Sequence, residues 1–352
     1  MSARPRFLII HTAFIGDVVL ALPLAQALRV SKPDAHVAML VIPAAAAALR
    51  NHPALDEVIV YDKKGGDRGL RAGFMIAQQL KIRRFDVALV PHRSLRSALL
   101  AWYARIPRRI GFATSAGRAL LTDRVGYDAT AHEIVRNLNL LVPLGIRPPA
   151  TELPLVYPGP DDTSAVDSLL SHAEAREGNV RRQNLVALAP GSVWNTKRWP
   201  QEHFATLGAK LLKDGYDLVL VGGPADEGVC RTIASAFDPH RVVNAAGRLT
   251  LLQSAELIRR CLVLISNDSA PQHLAVAVRT PVVTLFGATV PEFGFAPAGA
   301  HDRALGVPGL SCRPCSIHGG VRCPISTFLC MKSLSPDLVH DTVREVLHGT
   351  AR

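Results

Sequence analysis

The sequence has few aromatic residues, few cysteines and no long apolar run, and each shortage excludes a class of protein. Aromatic residues make up 5% of the 352 residues, so the stacking platforms that bind single-stranded nucleic acid are scarce. Six cysteines are too few for a dense disulfide framework, which favours a reducing, cytoplasmic location. The longest uncharged apolar run, residues 35–49, is shorter than the roughly 20 residues that span a bilayer. No transmembrane helix is therefore expected.

The composition that remains is typical of a globular chain with two domains. It is 48% hydrophobic and 20% charged, which excludes a disordered chain and exceeds the needs of one ordinary core. Residues 1–158 carry 21 Lys and Arg against 11 Asp and Glu, whereas residues 159–352 carry 19 against 18. The basic first half predicts an anionic partner, which is nucleic acid, a membrane face or a phosphorylated substrate. A merely soluble basic protein is the alternative.

Short β-rich runs alternate with helical patterns in both halves. The predicted strands are 7–11, 36–42, 57–61 and 87–91, followed by 185–189, 217–222, 242–244, 262–266 and 282–286. This alternation predicts parallel sheets that are covered on both faces. We therefore expect an α/β fold with two doubly wound, Rossmann-like domains facing across a cleft. Their predicted bounds are 1–158 and 159–352, with a proline-rich linker at 148–162. The last helix, about 336–349, is a candidate to pack back on the first domain.

The first candidate site residue follows the first predicted strand. In open parallel sheets, ligands bind at the carboxyl ends of strands, and a loop there leads to Asp17 at the start of a helix predicted over 17–29. The loop has a single glycine, Gly16, so it is not the Gly-x-Gly-x-x-Gly dinucleotide motif. Asp17 is either a helix N-cap or a general base that takes a proton from an acceptor hydroxyl.

The loop 190–200 of the second half contains hydroxyl groups and cations just before a predicted helix. Lys197 supplies a point charge, while Ser192, Thr196 and free backbone N–H groups supply hydrogen-bond donors. This combination suits a phosphate group. A surface loop that precedes a Trp-Pro helix start is the alternative.

Two further strand ends in the second half carry polar residues. A predicted anion or ribose site lies at the strand-to-helix junction formed by Asp268, Ser269, Ala270 and His273. For His273 taken alone, a structural histidine is the favoured interpretation. Glu227 follows another strand, where a carboxylate is placed to accept hydrogen bonds from ribose hydroxyls.

A run of arginines follows the predicted strand 87–91. Arg93 and Arg96 are the candidates to bind a phosphorylated acceptor substrate, because guanidinium groups bind phosphates in a bidentate way. Arg105, Arg108 and Arg109 continue the run. The alternative is a solvated face of charged side chains. The basic residues also predict a peripheral, electrostatic contact with an anionic membrane face.

Four cysteines within 19 residues follow the pattern Cys-x2-Cys-x7-Cys-x6-Cys, and they are Cys312, Cys315, Cys323 and Cys330. Four close thiols are able to hold zinc tetrahedrally, but the second pair lacks the spacing of common zinc ribbons. We favour reduced thiols without a metal. Cys230 and Cys261 fall in helix and strand patterns and are expected in the core.

Together, these motifs resemble the lipopolysaccharide heptosyltransferases of glycosyltransferase family 9, which have the GT-B fold. The resemblance covers nearly the whole chain and is closer to the second-heptose than to the first-heptose enzymes. The motifs that carry it are Ile15-Gly16-Asp17-Val18-Val19, Pro190-Gly191 leading to Lys197-Arg198-Trp199-Pro200, Ala246-Gly247-Arg248, Asn267-Asp268-Ser269 with His273, and Phe286-Gly287-Ala288-Thr289. Ala270 stands where such enzymes often have glycine.

The resemblance implies that Asp17 is the catalytic base and that Lys197 meets the donor diphosphate. The residues implied along the diphosphate, the sugar and the ribose are Asp268, Ser269, His273 and Glu227. The implied reaction is inverting transfer of heptose from ADP-heptose to a heptose of the phosphorylated lipopolysaccharide inner core. No cofactor is required, and no Asp-x-Asp metal pair follows a strand. The expected partners are ADP-heptose, the inner-core glycolipid and the cytoplasmic face of the inner membrane, and not nucleic acid.

Two other interpretations remain open from the sequence. A different nucleotide-sugar enzyme of the same fold, such as an epimerase, would bind a similar donor without needing a basic acceptor domain. A non-catalytic protein that binds anions or a membrane surface would use the basic first half, but the strand-end motifs of the second half have no role in it.

Overall fold

A computed structural model describes residues 4–63, 65–66, 69–149, 152–175 and 184–350. The chain divides into two compact units, Met1–Tyr157 and Pro158–Arg352. Each unit contains one six-stranded sheet. Residues 150–151 of the expected linker lie outside the described residues, and its last three residues open a helix that begins at Pro160. Proline is favoured there, because it lacks an N–H group and the N–H groups of the first helical turn have no partner within the helix.

The first unit is built on strands β1 (Arg6–Ile10), β2 (His36–Val41), β3 (Glu57–Val60), β4 (Val87–Val90), β5 (Arg108–Phe112) and β6 (Asp123–Val125). All of them pair in parallel, in the order β3-β2-β1-β4-β5-β6. The helices are α1 (Ile15–Leu20), α2 (Leu22–Ser31), α3 (Pro43–Leu49), α4 (Gly69–Ile82), α5 (Leu95–Tyr103) and α6 (Glu133–Leu138). The strands β1, β2 and β4 are almost entirely buried, as a parallel sheet covered on both faces requires.

The second unit repeats this plan with strands β7 (Leu185–Ala189), β8 (Asp217–Leu220), β9 (Val242–Asn244), β10 (Val263–Asn267), β11 (Val282–Phe286) and β12 (Arg303–Gly306). These strands are also parallel, in the order β12-β11-β10-β7-β8-β9. The helices are α7 (Pro160–Ala175), α8 (Gln201–Lys213), α9 (Glu227–Ala234), α10 (Leu251–Arg259), α11 (Ala270–Ala277), α12 (Leu329–Lys332) and α13 (Pro336–Thr350). Numbered within its own unit, each sheet has the doubly wound order 3-2-1-4-5-6. The prediction of two doubly wound α/β units is confirmed.

The final helix contributes to the core of the second unit. Val339, Val343 and Val346 of α13 are buried in the cluster that also holds Trp199 and Phe204. The helix packs against α8 and the strands β10 to β12. Its apolar face is therefore used within the second unit, and a contact of this helix with the first domain stays a prediction.

The helix predicted over 17–29 is wrong in its bounds. It is two helices, α1 and α2, that meet at Ala21. Pro23 lies in the first turn of α2, where its missing N–H group and its ring interrupt a continuous helix but suit a helix start. Among the described residues, no helix has both the length and the apolar character to cross a membrane.

Candidate active site

Each sheet reverses its strand order at one point, between β1 and β4 in the first unit and between β7 and β10 in the second. The connections of the two neighbouring strands leave such a point on opposite faces, which opens a crevice at the carboxyl ends of the strands. Asp17, Arg93 and Arg96 follow β1 and β4, while Lys197 and Asp268 follow β7 and β10. Most of the predicted site residues therefore lie at the two places where this fold binds ligands.

Asp17 is the third residue of α1, and the N-cap interpretation is wrong. The helix begins at Ile15, and the N-cap position is taken by Phe14, which has no side-chain acceptor. The Asp17 carboxylate instead accepts a hydrogen bond from the backbone N–H of Phe14 at 3.2 Å. A carboxylate at this position also favours the helix start electrostatically. Its side chain is half-buried, and its role as a base stays a prediction.

A second carboxyl group lies near Asp17, and the sequence analysis did not single it out. Glu133 opens α6, which is joined to the end of α1 by a hydrogen bond from Asn137 Nδ2 to the carbonyl oxygen of Leu20, 3.3 Å long. Burial raises the pKa of Glu133, and the charge of Asp17 adds to the rise, while Arg136 opposes it. The Glu133 carboxyl group therefore lies close enough to Asp17 for the charge of Asp17 to affect its pKa.

Arg93 lies beside this carboxyl pair. Its guanidinium carbon is 4.1 Å from the centre of the Tyr127 ring, and the guanidinium of Arg136 lies over the same ring at 4.8 Å. Arg136 also pairs with Glu133 at 2.9 Å and donates to the Tyr127 hydroxyl oxygen at 3.0 Å. Cation–π contacts of this kind fix the orientation of a guanidinium. Arg93 and Arg96 are both exposed, and Arg96 lies on the first turn of α5.

Two histidines lie just after β1 and β4, at the carboxyl ends of these strands. The rings of His11 and His92 stack with their centres 5.8 Å apart, and His92 Nδ1 lies 3.0 Å from the Ser97 hydroxyl. Burial lowers the pKa of His11 to about 3, and the charges of His92 and Lys63 add to this. Burial lowers the pKa of His92 to about 4, with Lys63 and Arg93 adding. Both imidazoles are therefore neutral at neutral pH.

These histidines are expected to make stability depend on pH. Between pH 6.5 and about 4 the unfolded chain binds protons at His11 and His92 that the native state does not bind. The contribution of these histidines to the free energy of unfolding should therefore be fully present above pH 6.5. As the pH falls below 6.5, the free energy of unfolding should decrease by up to about 1.4 kcal/mol per pH unit for each histidine. Urea unfolding at pH 7, 6 and 5 measures this fall. His11→Gln should make it shallower, and an unchanged slope would contradict a neutral, buried His11.

Lys197 and Asp268 form a buried ion pair in the second unit. Lys197 Nζ lies 2.6 Å from Asp268 Oδ2, and the two side chains are 12% and 8% exposed. The hydroxyl of Thr289 donates to the same oxygen at 2.6 Å, and Gln272 Nε2 donates to Oδ1 at 3.0 Å. Three donors thus converge on one carboxylate. This arrangement holds a lysine ammonium next to the start of α11.

Asn267 connects the two strand ends that carry this pair. Its Nδ2 donates to the carbonyl oxygen of Pro190 at 2.8 Å, and its Oδ1 accepts from the backbone N–H of Trp199 at 3.0 Å. The hydroxyl of Ser269 donates to the carbonyl oxygen of Gly191 at 3.3 Å. The loop 190–200 is therefore held against the end of β10 by the residues on either side of Asp268.

The hydroxyl oxygens of Ser192 and Thr196, which were predicted to meet phosphate, accept hydrogen bonds from backbone N–H groups. The Ser192 oxygen accepts a hydrogen bond from the backbone N–H of Trp194 at 3.3 Å. The Thr196 oxygen accepts from the backbone N–H of Gly320 at 2.7 Å, and the Thr196 N–H donates back to the Gly320 carbonyl at 3.0 Å. Both hydroxyl protons remain available as donors. Contact of these residues with a phosphate stays a prediction.

The other predicted donor residues divide between two helix starts. Ala270 is the first residue of α11, and His273 lies one turn later, where it is buried. Glu227 is the first residue of α9, and its side chain is half exposed. A Cβ atom at Gly247, where φ is +72°, would lie 2.2 Å from Glu227 Oε1. The glycine of the Ala246-Gly247-Arg248 motif is therefore needed for the close approach of Glu227.

Asp226 is closer to the loop after β7 than its neighbour Glu227, and sequence reasoning missed this. A Cβ atom at Gly191 would lie 2.2 Å from the Asp226 carboxyl carbon, and one at Gly222 would lie 2.8 Å from Asp226 Cβ. The carboxylate also accepts from the N–H of Gly223 at 3.0 Å. The glycines at 191 and 222 are the sequence signal, because each leaves room for this side chain.

The cysteine-rich segment contains free thiols. Cys315 donates its backbone N–H to Ala288 and its thiol to the carbonyl oxygen of Cys312, while Cys330 is buried. Within the described part of the chain, no group of three or more His, Cys, Asp or Glu side chains is arranged to hold a metal ion. The absence of zinc from this segment stays a prediction. Cys230 and Cys261 are buried as expected, although Cys261 precedes β10 rather than lying in it.

Comparison with known proteins gives the family of this chain. Residues 74–319 match the family described as glycosyltransferase family 9 (heptosyltransferase). The chain is 27% identical to lipooligosaccharide heptosyltransferase 2 of Haemophilus influenzae over 293 residues, which cover 81% of this chain and 84% of that protein. It is also 27% identical to lipopolysaccharide heptosyltransferase 2 of Escherichia coli over 296 residues, covering 82% and 84%.

Solved structures show the same fold. A glycosyltransferase family 9 protein from Veillonella parvula superposes with a TM-score of 0.86 at 24% identity, covering 99% of both chains. The E. coli ADP-heptose lipopolysaccharide heptosyltransferase II gives 0.78 at 24% identity, covering 99% of this chain and 100% of that one. An E. coli heptosyltransferase with ADP gives 0.70 at 17% identity, covering 97% of both. With a family match over most of its length and the GT-B fold, the chain belongs to glycosyltransferase family 9, the heptosyltransferases.

Proposed function

We propose that this enzyme transfers heptose from ADP-heptose to a heptose of the lipopolysaccharide inner core, with inversion at the anomeric carbon. The observation that carries the donor assignment is the buried pair of Lys197 and Asp268 at the start of α11. The relatives named as heptosyltransferase 2 support the second-heptose reaction. ADP in the structure of a related heptosyltransferase supports the nucleotide.

In the donor half of the reaction, the bond between the sugar and the diphosphate breaks, and negative charge accumulates on the departing phosphate oxygen. Lys197 supplies a positive charge that Asp268 holds in a fixed position. The N–H groups at the start of α11 supply a positive dipole end. Preorganised charges of this kind stabilise a transition state without reorganisation. No cofactor is included in this proposal.

In the acceptor half, a hydroxyl of the acceptor heptose attacks the anomeric carbon on the face opposite the leaving group. Asp17 takes the hydroxyl proton in this step. Glu133, whose pKa is raised in part by the charge of Asp17, is a second carboxyl group near this base. Inversion follows from a single displacement.

The acceptor is a phosphorylated glycolipid in this proposal, so the enzyme works at the cytoplasmic face of the inner membrane. The net charge of the first half, 21 basic against 11 acidic residues, favours anionic groups on the acceptor and on the lipid surface. In this proposal Arg93, whose guanidinium lies over the Tyr127 ring, binds a phosphate of the acceptor.

Product analysis with ADP-heptose and a set of truncated core acceptors tests the proposal. An acceptor that ends in one heptose should gain a second heptose, and nuclear magnetic resonance should show the anomeric configuration inverted. Transfer only to an acceptor without heptose would assign the first-heptose reaction instead. An epimerised sugar nucleotide, or free heptose without a glycosylated product, would overturn the transferase assignment.

Arg93 and Arg96 are expected to act on the acceptor and not on the donor. Replacing both by glutamine should raise the apparent KM for a phosphorylated acceptor about tenfold or more, because a charge-assisted contact with phosphate is lost. The affinity for ADP should not change. Arg118→Gln, at another exposed arginine of the first unit, is the matched control. Lost ADP binding, or an unchanged KM, would contradict the assignment.

A further inference from the structure

The helices α4 and α5 of the first unit expose a group of large apolar side chains, here called the aromatic face: Phe74, Met75, Trp102 and Tyr103. Each of these side chains is 45% to 55% exposed. The rings of Phe74 and Tyr103 meet edge to face with centres 6.4 Å apart, and those of Trp102 and Tyr103 with centres 4.8 Å apart. The rings from two helices therefore form one continuous surface, unlike the single exposed apolar residues that are normal on a protein.

The aromatic face belongs to otherwise ordinary amphipathic helices. Ile76, Ala77 and Leu80 of α4 are buried in the core of the first unit, as are Ala98 and Ala101 of α5. The core thus already has its apolar contacts, and α4 and α5 pack directly against each other. Phe74 and Trp102 are not needed to fill it.

The sequence around the aromatic face is almost free of acidic residues. From Gly69 to Thr122 the chain has ten Lys and Arg residues and a single acidic residue, Asp86. The carboxylate of Asp86 accepts a hydrogen bond from the backbone N–H of Arg6 at 2.7 Å, so it is engaged where β1 begins. Arg71 and Arg96, on the same two helices, are exposed. The segment that carries the aromatic face is therefore basic, although Arg83 pairs with Glu57 and Arg108 with Asp123, both outside the segment.

We propose that the aromatic face docks on the surface of an anionic phospholipid bilayer. Tryptophan and tyrosine rings favour the interface between water and lipid, where their apolar body and polar tip are both satisfied. Basic residues around them are attracted to anionic head groups. A soluble acidic protein would match the charge, but it would not by itself account for two helices that expose adjoining rings.

This docking differs from attraction by arginines alone. Electrostatic attraction to a lipid surface is screened by salt, whereas insertion of rings into the interface adds an apolar contribution that salt does not screen. Docking by this face, which rests on the proposed function for its lipid-linked acceptor, would hold the first unit at the surface where that acceptor resides.

Vesicle sedimentation with the full-length protein tests the docking. Vesicles of phosphatidylcholine with about one third phosphatidylglycerol should bind the parent protein, and vesicles of phosphatidylcholine alone should bind it more weakly. Phe74→Ser with Trp102→Ser should weaken binding to the anionic vesicles about tenfold or more, which corresponds to about 1.4 kcal/mol. The control is Val30→Ser with Val142→Ser, which removes exposed apolar side chains elsewhere on the first unit and should bind like the parent.

Two further measurements make the result specific. Vesicles should shift the tryptophan emission of the parent protein to shorter wavelength, and Trp102→Phe should remove the shift while keeping the binding. With a water-soluble, deacylated acceptor, the serine variant of the aromatic face, Phe74→Ser with Trp102→Ser, should retain the parental kcat/KM. This result separates the test of docking from the test of the proposed function. Equal vesicle binding by the serine variant and the parent would overturn the proposal. A lipid-free dimer that this variant abolishes would also overturn it, because a second copy would then cover the face.

Discussion

Asp17→Asn is expected to reduce transfer by at least about 100-fold while ADP binding stays intact. Asparagine keeps the shape of the side chain and an oxygen that accepts the Phe14 N–H, so α1 should retain its start. It cannot take up a proton, and general base catalysis typically contributes 10²- to 10⁴-fold. Steady-state kinetics and calorimetry with ADP on the same preparation separate the two effects.

Asp34→Asn is the matched control for this variant. Asp34 is an exposed aspartate of the first unit, in the turn before β2, and the same chemical change there should leave kcat unchanged. If Asp17→Asn retained the parental rate, the base would be another group. Glu133 would then be the first alternative, since its carboxyl lies close enough to sense the charge of Asp17.

Lys197→Met is expected to produce the second large effect, which has two parts. The loss of the ammonium group should weaken ADP binding about tenfold or more, because a charge-assisted contact with the diphosphate is removed. The variant should also be less stable, because Asp268 would remain buried without its cation. Removing one partner of a buried ion pair typically costs about 3–5 kcal/mol.

The double variant Lys197→Met with Asp268→Asn separates these two parts. An asparagine still accepts the Thr289 hydroxyl but carries no charge, so stability to urea should recover in large part. ADP affinity should not recover, because the charge that meets the diphosphate is still missing. Recovery of both properties would show that Lys197 serves only to neutralise Asp268. Lys210→Met, which removes a lysine from an exposed ion pair with Asp337, should change neither property.

Most of the strands that the sequence predicted are largely buried, and the part-exposed β3 is the exception. In β7, β10 and β11 every residue is buried, and the resulting apolar runs stand out along the chain. Three strands were missed for the opposite reason. β5 begins with Arg108 and Arg109, and the edge strands β6 and β12 are short and partly exposed. Their place in a sheet is decided by neighbours distant in sequence.

The sequence indicated candidate site residues but not the contacts between them. Lys197 and Asp268 each follow a strand, which is a local signal, but their pairing joins residues 71 positions apart and depends on β7 lying beside β10. Glu133 carried a weaker signal, a glutamate paired with Arg136 three residues later within a buried helix. The proximity of that helix to α1 is a tertiary contact, so the second carboxyl could not be assigned to Asp17 from the sequence.

The hydrogen bonds of Asn267 bear on the motions of the loop 190–200. The amide side chain holds Pro190 at one end of the loop and the N–H of Trp199 at the other, and Asn267 itself is the last residue of a fully buried strand. Opening of the loop by local unfolding would have to break these bonds at the end of the strand. Hydrogen exchange at the Trp199 amide should therefore be nearly as slow as in β10, so this surface loop belongs to the same cooperative unit as the centre of its sheet.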